Sequence, residues 1–333
     1  MELLFESRLE IGTVVGKVYA FQAVPEIHPE PVLVPDSPAD QVGCSIYGTV
    51  LRDGGRLRMW YQAWPRDWAG ADAASVGYAE SDDGIVWTKP VMTVQAYAGK
   101  PGNLVNLGVH CPSVFMDPQA PSDRRYGATG YIRSRHEGTN HAAARSGYFA
   151  AWSSDGLDWR LAAPEPQWPG GDVITSAYHP GQRRVIVCLK QNVRIRGLYR
   201  RSIWNAEGCD GRWSEASCAL IPDDFDDIAA TARGYASADY YGMGMMPAGS
   251  GTVGFLWPFR HSLPRTPGRE TGIYGACDVA LTYQPAPGAR WLHMPGRPDF
   301  IAHTQVPWGS GGVYTASCPV EIGDEQRLYF SGA

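Results

Sequence analysis

Two aspartates, Asp172 and Asp239, are the residues whose type and placement best suit chemistry. Each begins a stretch of small and apolar residues that runs into a turn, His-Pro-Gly at 179–181 or Pro-Ala-Gly at 247–249. Counted back from these turns, the two carboxylates hold equivalent positions, so we expect both at one end of the fold. Two neighbouring carboxylates have separated pKa values, which leaves one able to donate a proton and the other ionised. Their placement predicts a general acid–base pair; the structural alternative is that Asp172, after two glycines, is a turn residue and that Asp239 caps a strand.

The elements that position these aspartates are indicated by a motif that occurs twice. Residues 81–87 and 153–159 both read S-x-D-G-x-x-W. This pattern predicts a hairpin with a tight Asp-Gly turn, whose Trp returns on the next strand and packs between sheets. Two degenerate copies end at Trp213 and Trp291. The sequence therefore predicts a repeated sheet unit.

Five other stretches are predicted to form the innermost strands of these sheets. Each is rich in small residues and ends at a turn: residues 45–50, 111–116, 172–178, 239–245 and 317–322. Aromatic and β-branched residues follow each turn, as in a second strand. Small residues suit a central axis, where adjacent backbones approach closely. The predicted fold is all-β, a five-bladed β-propeller with four-stranded antiparallel blades around a central channel.

The composition is that of one turn-dense domain spanning residues 1–333. The chain has 39 Gly, 26 Pro and 12 Trp, and no linker or shift in composition divides it. Closed all-β architectures of this size commonly form single domains. Because the sequence ends two strands into the fifth predicted blade, we expect residues near 4–34 to complete that blade.

Charge and cysteine content exclude several classes of protein. A net charge of -5 argues against a nucleic-acid surface, and the basic run 194–201 is predicted to be the solvated, ion-paired face of a strand.

No stretch approaches the ~18 apolar residues of a membrane span, and the N-terminus lacks a signal-peptide pattern. Seven cysteines without C-x-x-C spacing predict free thiols rather than disulfides or zinc. We expect a cytoplasmic protein without metal or cofactor.

Several segments resemble the five-bladed propeller glycoside hydrolases, families 43, 32, 62, 68 and 130 and unassigned bacterial relatives. Residues 58–61 (R-M-W-Y) followed by residues 77–87 (G-Y-A-x-S-x-D-G-x-x-W) resemble their first blade, and segments 111–118, 125–126 and 317–320 continue the likeness. It covers nearly the whole chain. Its motifs are structural hallmarks of blades, so they specify the fold strongly and the chemistry weakly.

The resemblance implies that reactive carboxylates project from the inner strands into the mouth, the pocket where the blades converge. Asp172 and Asp239 would enter it from blades three and four. Glycosidic cleavage needs one carboxyl to protonate the leaving oxygen and another to act as base or nucleophile. Families 43 and 32 place an aspartate on the inner strand of blade one, where this chain has S-I-Y-G at 45–48. The catalytic assignments of those families therefore cannot be carried over.

Six other side chains are expected to bind substrate at the mouth: Tyr47, Trp64, Asn106, His110, Arg260 and Glu321. Trp64, with Trp68 in the same loop, would stack on sugar faces. His110 would bind sugar hydroxyls or orient a carboxylate, and Arg260 would bind a carboxylate or phosphate. The structural alternatives are packing between blades for the tryptophans, a satisfied structural role for the histidine and ordinary ion pairing for the arginine.

The leading functional hypothesis is a glycoside hydrolase-like enzyme that cleaves a glycosidic bond in a small or modified sugar through Asp172 and Asp239. An alternative resembling family 130 is phosphorolysis, in which one carboxyl acts and phosphate replaces water. Two buried arginines beside a single carboxylate would favour it. A third possibility is a biosynthetic enzyme for another small molecule, or a small-molecule or carbohydrate-binding propeller, which the missing blade-one aspartate favours. The expected partner is a small sugar or glycoside, with neither nucleic acid nor membrane.

Overall fold

The computed structural model describes residues 24–66, 75–133, 143–309 and 311–332. These residues form a β-propeller arrangement with four blades, built almost entirely from sheet, with a single α-helix in the described part of the chain. No helix among them is long and apolar enough to cross a membrane.

The blades follow one another along the chain. The first contains β1 (Gly43–Asp53), β2 (Arg56–Trp64), β3 (Val76–Ser81), β4 (Met92–Tyr97), β5 (Lys100–Gly102) and β6 (Leu104–Val105). The second contains β7 (His110–Met116), β8 (Tyr126–Ile132), β9 (Gly147–Ser153) and β10 (Arg160–Leu161). The third contains β11 (Ile174–His179), β12 (Arg184–Ile195), β13 (Leu198–Cys209), β14 (Arg212–Trp213) and β15 (Ser217–Leu220). Helix α1 (Asp224–Ala232) precedes the fourth, which contains β16 (Ser237–Ala248), β17 (Gly251–His261), β18 (Gly275–Cys277), β19 (Val279–Gln284), β20 (Leu292–His293) and β21 (Asp299–Ile301).

Each blade starts as an antiparallel meander whose first strand is innermost. The inner strands are β1, β7, β11 and β16, and each pairs with the strand that follows it. The four tryptophans of the repeated motif follow the third main strand of successive blades: Trp87, Trp159, Trp213 and Trp291. Their predicted correspondence in blades one to four is confirmed.

The repeated motif forms the same hydrogen-bonded turn in residues 81–87 and 153–159. In both copies the Asp carboxylate accepts the backbone N–H groups two and three residues later, and the Trp indole donates to the glycine carbonyl oxygen. Gly84 and Gly156 both have φ +78°, a conformation that glycine adopts without steric cost. The motif is therefore a local structural unit, because the residues that its two copies share form the hydrogen bonds of the turn itself.

The turn of the second blade is also bound by the first blade. Arg58 Nη2 donates to the Asp155 carbonyl oxygen at 2.6 Å, and Trp60 Nε1 donates to that of Gly156 at 2.7 Å. The Arg58 guanidinium lies over the Trp60 ring, 5.3 Å from its centroid. Together these contacts join blades one and two, and the R-M-W-Y segment supplies them.

The prediction of five blades is wrong, because the structure has four. The last described segment forms two two-stranded ladders instead of a four-stranded sheet. These pair β22 (Val313–Thr315) with β25 (Phe330–Gly332) and β23 (Val320–Ile322) with β24 (Glu325–Arg327). Each strand has only three residues, too few to build a blade. Of the segment expected to complete it, residues 24–34 contain no strand and residues 4–23 lie outside the described part of the chain.

The same segment nevertheless completes the ring around the axis. Ser317 donates its backbone N–H to Gly48 O at 2.9 Å and accepts Met245 N–H at 2.8 Å, so it lies between the inner strands β1 and β16. Its outer part contacts blade one, where Arg327 Nη1 donates to Asp83 O at 2.7 Å. This contact repeats the arginine-to-turn contact between blades one and two.

Small residues crowd the axis, as the sequence predicts. The hydroxyl oxygens of Ser113 and Ser317 lie 2.5 Å apart, and Ser176 Oγ donates to Ser113 Oγ at 3.0 Å. A Cβ at Gly48 would stand 2.0 Å from a backbone oxygen of β2. Glycine at this position is needed for the close approach of the backbones.

The cysteines form no disulfides. All seven are free thiols, of which Cys111, Cys188 and Cys277 are buried and Cys209 and Cys218 are exposed. The prediction of free thiols is confirmed for the structure.

Candidate functional site

Three inner strands become irregular at the end of the propeller where they begin. Strand register slips within residues 45–49 of β1, 110–113 of β7 and 240–243 of β16. A bulge bends its strand and redirects side chains. The slips contain Tyr47 and Tyr241, whose rings both approach the ring of Tyr314, at centroid distances of 5.2 and 5.7 Å. The mouth is thus built by local departures from regular sheet.

Two of the non-glycine residues with positive φ lie at the same end. Asp172 has φ +88° and Cys111 has φ +55°, a region that non-glycine residues seldom occupy. Such strain persists only where the surrounding structure holds it, and it is frequent at functional sites. Cys111 adjoins His110, whose imidazole faces Asp172. The two strained positions therefore hold neighbouring side chains.

Asp172 is held by three groups at the mouth. Lys190 Nζ donates to Oδ2 at 2.7 Å, Tyr241 OH donates to Oδ1 at 3.3 Å, and His110 Nε2 lies 3.4 Å from Oδ1. The Asp172 side chain is 26% exposed, whereas those of His110 and Lys190 are largely buried. The predicted proximity of His110 to a mouth carboxylate is present in the structure.

The electrostatics keep this carboxylate ionised. Burial alone would raise the pKa of Asp172, but Lys190 and His110 outweigh it and hold that pKa well below its usual range. Burial disfavours the imidazolium of His110, yet Cys111 and Asp172 raise the pKa of the histidine above its ordinary value. Asp172 is therefore ionised at neutral pH, and the pKa of the neighbouring imidazole is raised.

Aromatic rings surround this pair. The ring of His110 lies 5.7 Å from that of Tyr47 and 6.0 Å from that of Trp64, which meets it edge-on. Burial and nearby ionisable groups raise the pKa values of Tyr47 and Tyr241, so both phenols stay protonated. Neutral phenols and ring faces suit the hydroxyls and the apolar face of a sugar ring.

Arg201 lies beside the aromatic rings of the mouth, and not all of its hydrogen-bond donors have an acceptor in the described part of the chain. Its guanidinium lies 5.2 Å from the ring centroids of both Tyr241 and Phe259. Nη2 donates to the carbonyl oxygens of Thr271 and Gly272, at 2.7 and 3.1 Å. Nε and Nη1 have no hydrogen-bond partner among the described residues, although the side chain is buried. A buried guanidinium with free donors is suited to an anion.

Asp239 differs from Asp172, because its side chain is 0% exposed. Its partners are four cationic or titratable side chains: Arg265 Nη2 at 2.6 Å, His261 Nε2 at 2.8 Å, Arg200 Nε at 3.5 Å and Arg201 Nη1 at 3.9 Å. Burial opposes ionisation of Asp239, but His261 and Arg265 outweigh it and lower the pKa of the carboxyl. Asp239 is the buried counter-ion of a cationic cluster.

The predicted acid–base pair is corrected on two points. Asp172 and Asp239 do not both reach solvent, and both of their pKa values are lowered, so neither has the raised pKa expected of a general acid. They are linked indirectly: Arg201 approaches Asp239 and lies over Tyr241, which donates to Asp172. The reason is tertiary, since the cations around Asp239 come from β13, β17 and the loop that follows β17.

Two of the predicted substrate-binding residues lie in structural contacts. Asn106 Nδ2 donates to the Asp158 carboxylate at 2.7 Å, and its Oδ1 accepts the N–H of the motif tryptophan in blade two. Arg260 is buried in ion pairs with Asp278 and Asp299, which is the structural alternative for it.

The other predicted substrate-binding residues differ in exposure and in location. Glu321 is exposed on β23. Trp64 is half-buried, and its Nε1 donates to Ser45 Oγ at 3.0 Å. Trp68 lies outside the described residues.

The main residues missed by sequence reasoning lie on the hairpin of β12 and β13. Nothing in the sequence singles out Lys190, and the run 194–201 is predicted to be a solvated, ion-paired face. Arg200 and Arg201 are in fact buried, so this interpretation is wrong for them. Alternation along the strand does not signal this, because adjacent residues are both buried, and only the packing of blade four against blade three encloses these side chains. Among the described residues, no group of three or more His, Cys, Asp or Glu side chains is placed to hold a metal ion.

Comparison with known proteins supports the fold. No protein-family model and no curated protein matches the sequence. A solved structure described as a glycoside hydrolase is 14% identical with a TM-score of 0.54, over 90% of this chain and 89% of that chain. A glycosyl hydrolase from Bacteroides ovatus is 13% identical with a TM-score of 0.53, over 93% and 90%.

A third structure is described by the statement that the GH130 family of mannoside phosphorylases contains glycoside hydrolases that target beta-1,2 mannosidic linkages in Candida mannan. It is 16% identical with a TM-score of 0.55, over 92% of this chain and 89% of that chain. At such low identity these matches establish a shared fold and leave activity to the site.

Proposed function

We propose that this protein cleaves a glycosidic bond in a small or modified sugar, with Asp172 as the acting carboxylate. The observation that carries this proposal is a partly exposed carboxylate 3.4 Å from the imidazole of His110, within a group of half-buried aromatic rings. The likeness in fold to structures described as glycoside hydrolases supports the same class of chemistry.

The residues around Asp172 have distinct proposed roles. Asp172 is ionised, so in this proposal it accepts a proton from the water that attacks the anomeric carbon. His110, whose pKa is raised by its neighbours, is the proposed proton donor to the leaving oxygen. Lys190 and Tyr241 hold the carboxylate oxygens in place. Asp239 is a positioning residue that anchors the neighbouring arginines.

Phosphorolysis is the second candidate, and Arg201 is the observation that favours it. Its buried guanidinium has two nitrogens without a hydrogen-bond partner among the described residues, near the single partly exposed carboxylate. Arg200, on the same strand, is also buried. Phosphate in place of water would bind to such donors and attack the same carbon.

The test is turnover of a panel of nitrophenyl glycosides, with and without inorganic phosphate, by the wild-type protein and by Asp172→Asn. Asparagine preserves the side-chain volume and is among the residues that tolerate a positive φ, so we expect the variant to fold. Turnover should fall by at least ~10²-fold, the lower end of what a positioned acid or base contributes. Asp324→Asn, in an exposed turn, is the matched control and should be unaffected.

The phosphate arm separates the two candidates. Release of a free sugar independent of phosphate supports hydrolysis, and a glycosyl phosphate product supports phosphorolysis. Near-normal turnover by a folded Asp172→Asn variant would show that this carboxylate does not act in the reaction.

A further inference from the structure

A cleft of about 760 Å³ lies between blades three and four. It is lined by the tip of the β12–β13 hairpin, by segment 218–224 leading into α1, and by parts of segment 290–297. Arg200 and Arg265 also line it and contact Asp239 from this side. No residue that contacts Asp172 is part of its lining. Its volume is typical of a site for a small molecule.

The lining carries more positive than negative groups. The cations are Arg196, Arg200, Arg265, Arg290 and Arg297, and the anions are Asp223, Asp224 and Asp227. Every one of these arginines except Arg290 is ion-paired. Arg290 is exposed and forms no ion pair with a described residue, so its charge is available to a ligand.

Burial and the positive charge of two of these arginines lower the pKa of His293, which also lines the cleft. Burial lowers the pKa of His293, and Arg297 and Arg290 lower it further, to about 4. The histidine is therefore neutral at pH 7. Nearby Asp223 does not cancel the effect of the two guanidinium groups.

The polar wall of the cleft offers both donors and acceptors. Arg200 donates two hydrogen bonds to Asp227, at 2.9 and 3.1 Å, and about a third of the aspartate side chain is exposed. Arg265 is buried, and its Nε has no hydrogen-bond partner in the part of the chain described. Leu198 and Ile221 add apolar lining. A sugar hydroxyl both donates and accepts, so paired arginine and aspartate side chains suit it, while the apolar side chains suit its ring.

We propose that this cleft is a second binding site, for a small polyhydroxylated anion such as a sugar phosphate or a sugar acid. Arg290 contacts the anionic group, and the paired arginines and aspartates of the wall bind the hydroxyls. The inference goes beyond the proposed cleavage at Asp172 and does not depend on it.

Isothermal titration calorimetry with three probes tests the proposal: glucose 6-phosphate, glucuronate and glucose. We expect at least one of the two anions to bind more tightly than glucose, and their order identifies the favoured anionic group. Arg290→Ala should weaken binding of that anion by about 10- to 100-fold, as expected for the loss of a charge-assisted hydrogen bond. Binding of glucose should not change. The control is Arg52→Ala, which removes an exposed arginine from blade one, whereas the cleft lies between blades three and four.

Asp172→Asn distinguishes this cleft from the site at the mouth. The variant should bind the anion as the wild-type protein does, whether or not it retains any glycosidase activity. Equal loss of binding in Asp172→Asn would place the anion at the mouth and overturn the proposal. So would unchanged affinity in Arg290→Ala, or failure of both anions to bind more tightly than glucose.

Discussion

Replacing the buried counter-ion Asp239 with asparagine should destabilise the protein. The substitution retains the side-chain volume but removes the negative charge that three arginines and His261 share. An uncompensated buried charge is costly, because the partners remain out of water without the carboxylate that neutralised them. Breaking a buried ion pair in this way typically costs about 3–5 kcal/mol.

The contacts that survive set the expected magnitude. Arg200 keeps its two hydrogen bonds to Asp227, and Arg265 keeps a hydrogen bond to Ala238 O at 2.6 Å. Because these guanidinium groups stay partly compensated, we expect the loss to lie near the lower end of that range, at about 3 kcal/mol. Asp324→Asn, in an exposed turn, should change the free energy of unfolding by less than about 0.5 kcal/mol.

The assay is urea unfolding of the wild-type protein and both variants, repeated from pH 7 to pH 3. The folded pKa of Asp239 lies below its usual value of 3.8. Its ionised form therefore stabilises the fold at every pH above about 4, and this contribution is lost as the pH falls through the lowered pKa. The difference between wild type and Asp239→Asn should be constant from pH 7 to 5 and should shrink below about pH 4.

Two results would refute this reasoning. If Asp239→Asn were as stable as the wild-type protein at pH 7, the carboxylate would not be the counter-ion of the cluster. A stability difference that grew below pH 4 would have the wrong sign for a carboxyl whose folded pKa is lowered.

Three further predictions concern other parts of the chain. Arg58→Ala removes the arginine contact between blades one and two and should lower the free energy of unfolding by about 1–3 kcal/mol, measured in urea. Lys190→Met removes the cation that holds the Asp172 pKa low, so the acid limb of the kcat/KM profile should move to higher pH on any substrate the wild-type protein cleaves. Thiol titration of the native protein should detect Cys209 and Cys218 first, and unfolding without reductant should expose all seven thiols.

Each of these predictions can fail clearly. Arg58→Ala with wild-type stability would show that the arginine contact does not hold the blades together. An unmoved acid limb in Lys190→Met would mean that the limb does not report the ionisation of Asp172. Fewer than seven thiols in the unfolded, unreduced protein would indicate disulfides.

The repeated unit could be predicted from the sequence because its determinants are local. The hydrogen bonds within the turns at 81–87 and 153–159 join residues no more than three positions apart. The number of blades could not be read in the same way. The small residues near Ser317 do occupy a place at the axis, but whether they start a blade depends on pairing with strands elsewhere.

The candidate site shows the same division between local pattern and tertiary contact. Position along an inner strand predicts that His110 and Asp172 lie at one end of the propeller, because equivalent strand starts converge there, and the two side chains are 3.4 Å apart. Position alone could not distinguish Asp172 from Asp239, whose surroundings come from residues 22 to 39 positions away in the sequence. Burial and ion pairing depend on how whole blades pack. The sequence therefore determined the repeated turns and the order of the strands, whereas the tertiary structure decided which carboxylate meets solvent and which is enclosed by arginines.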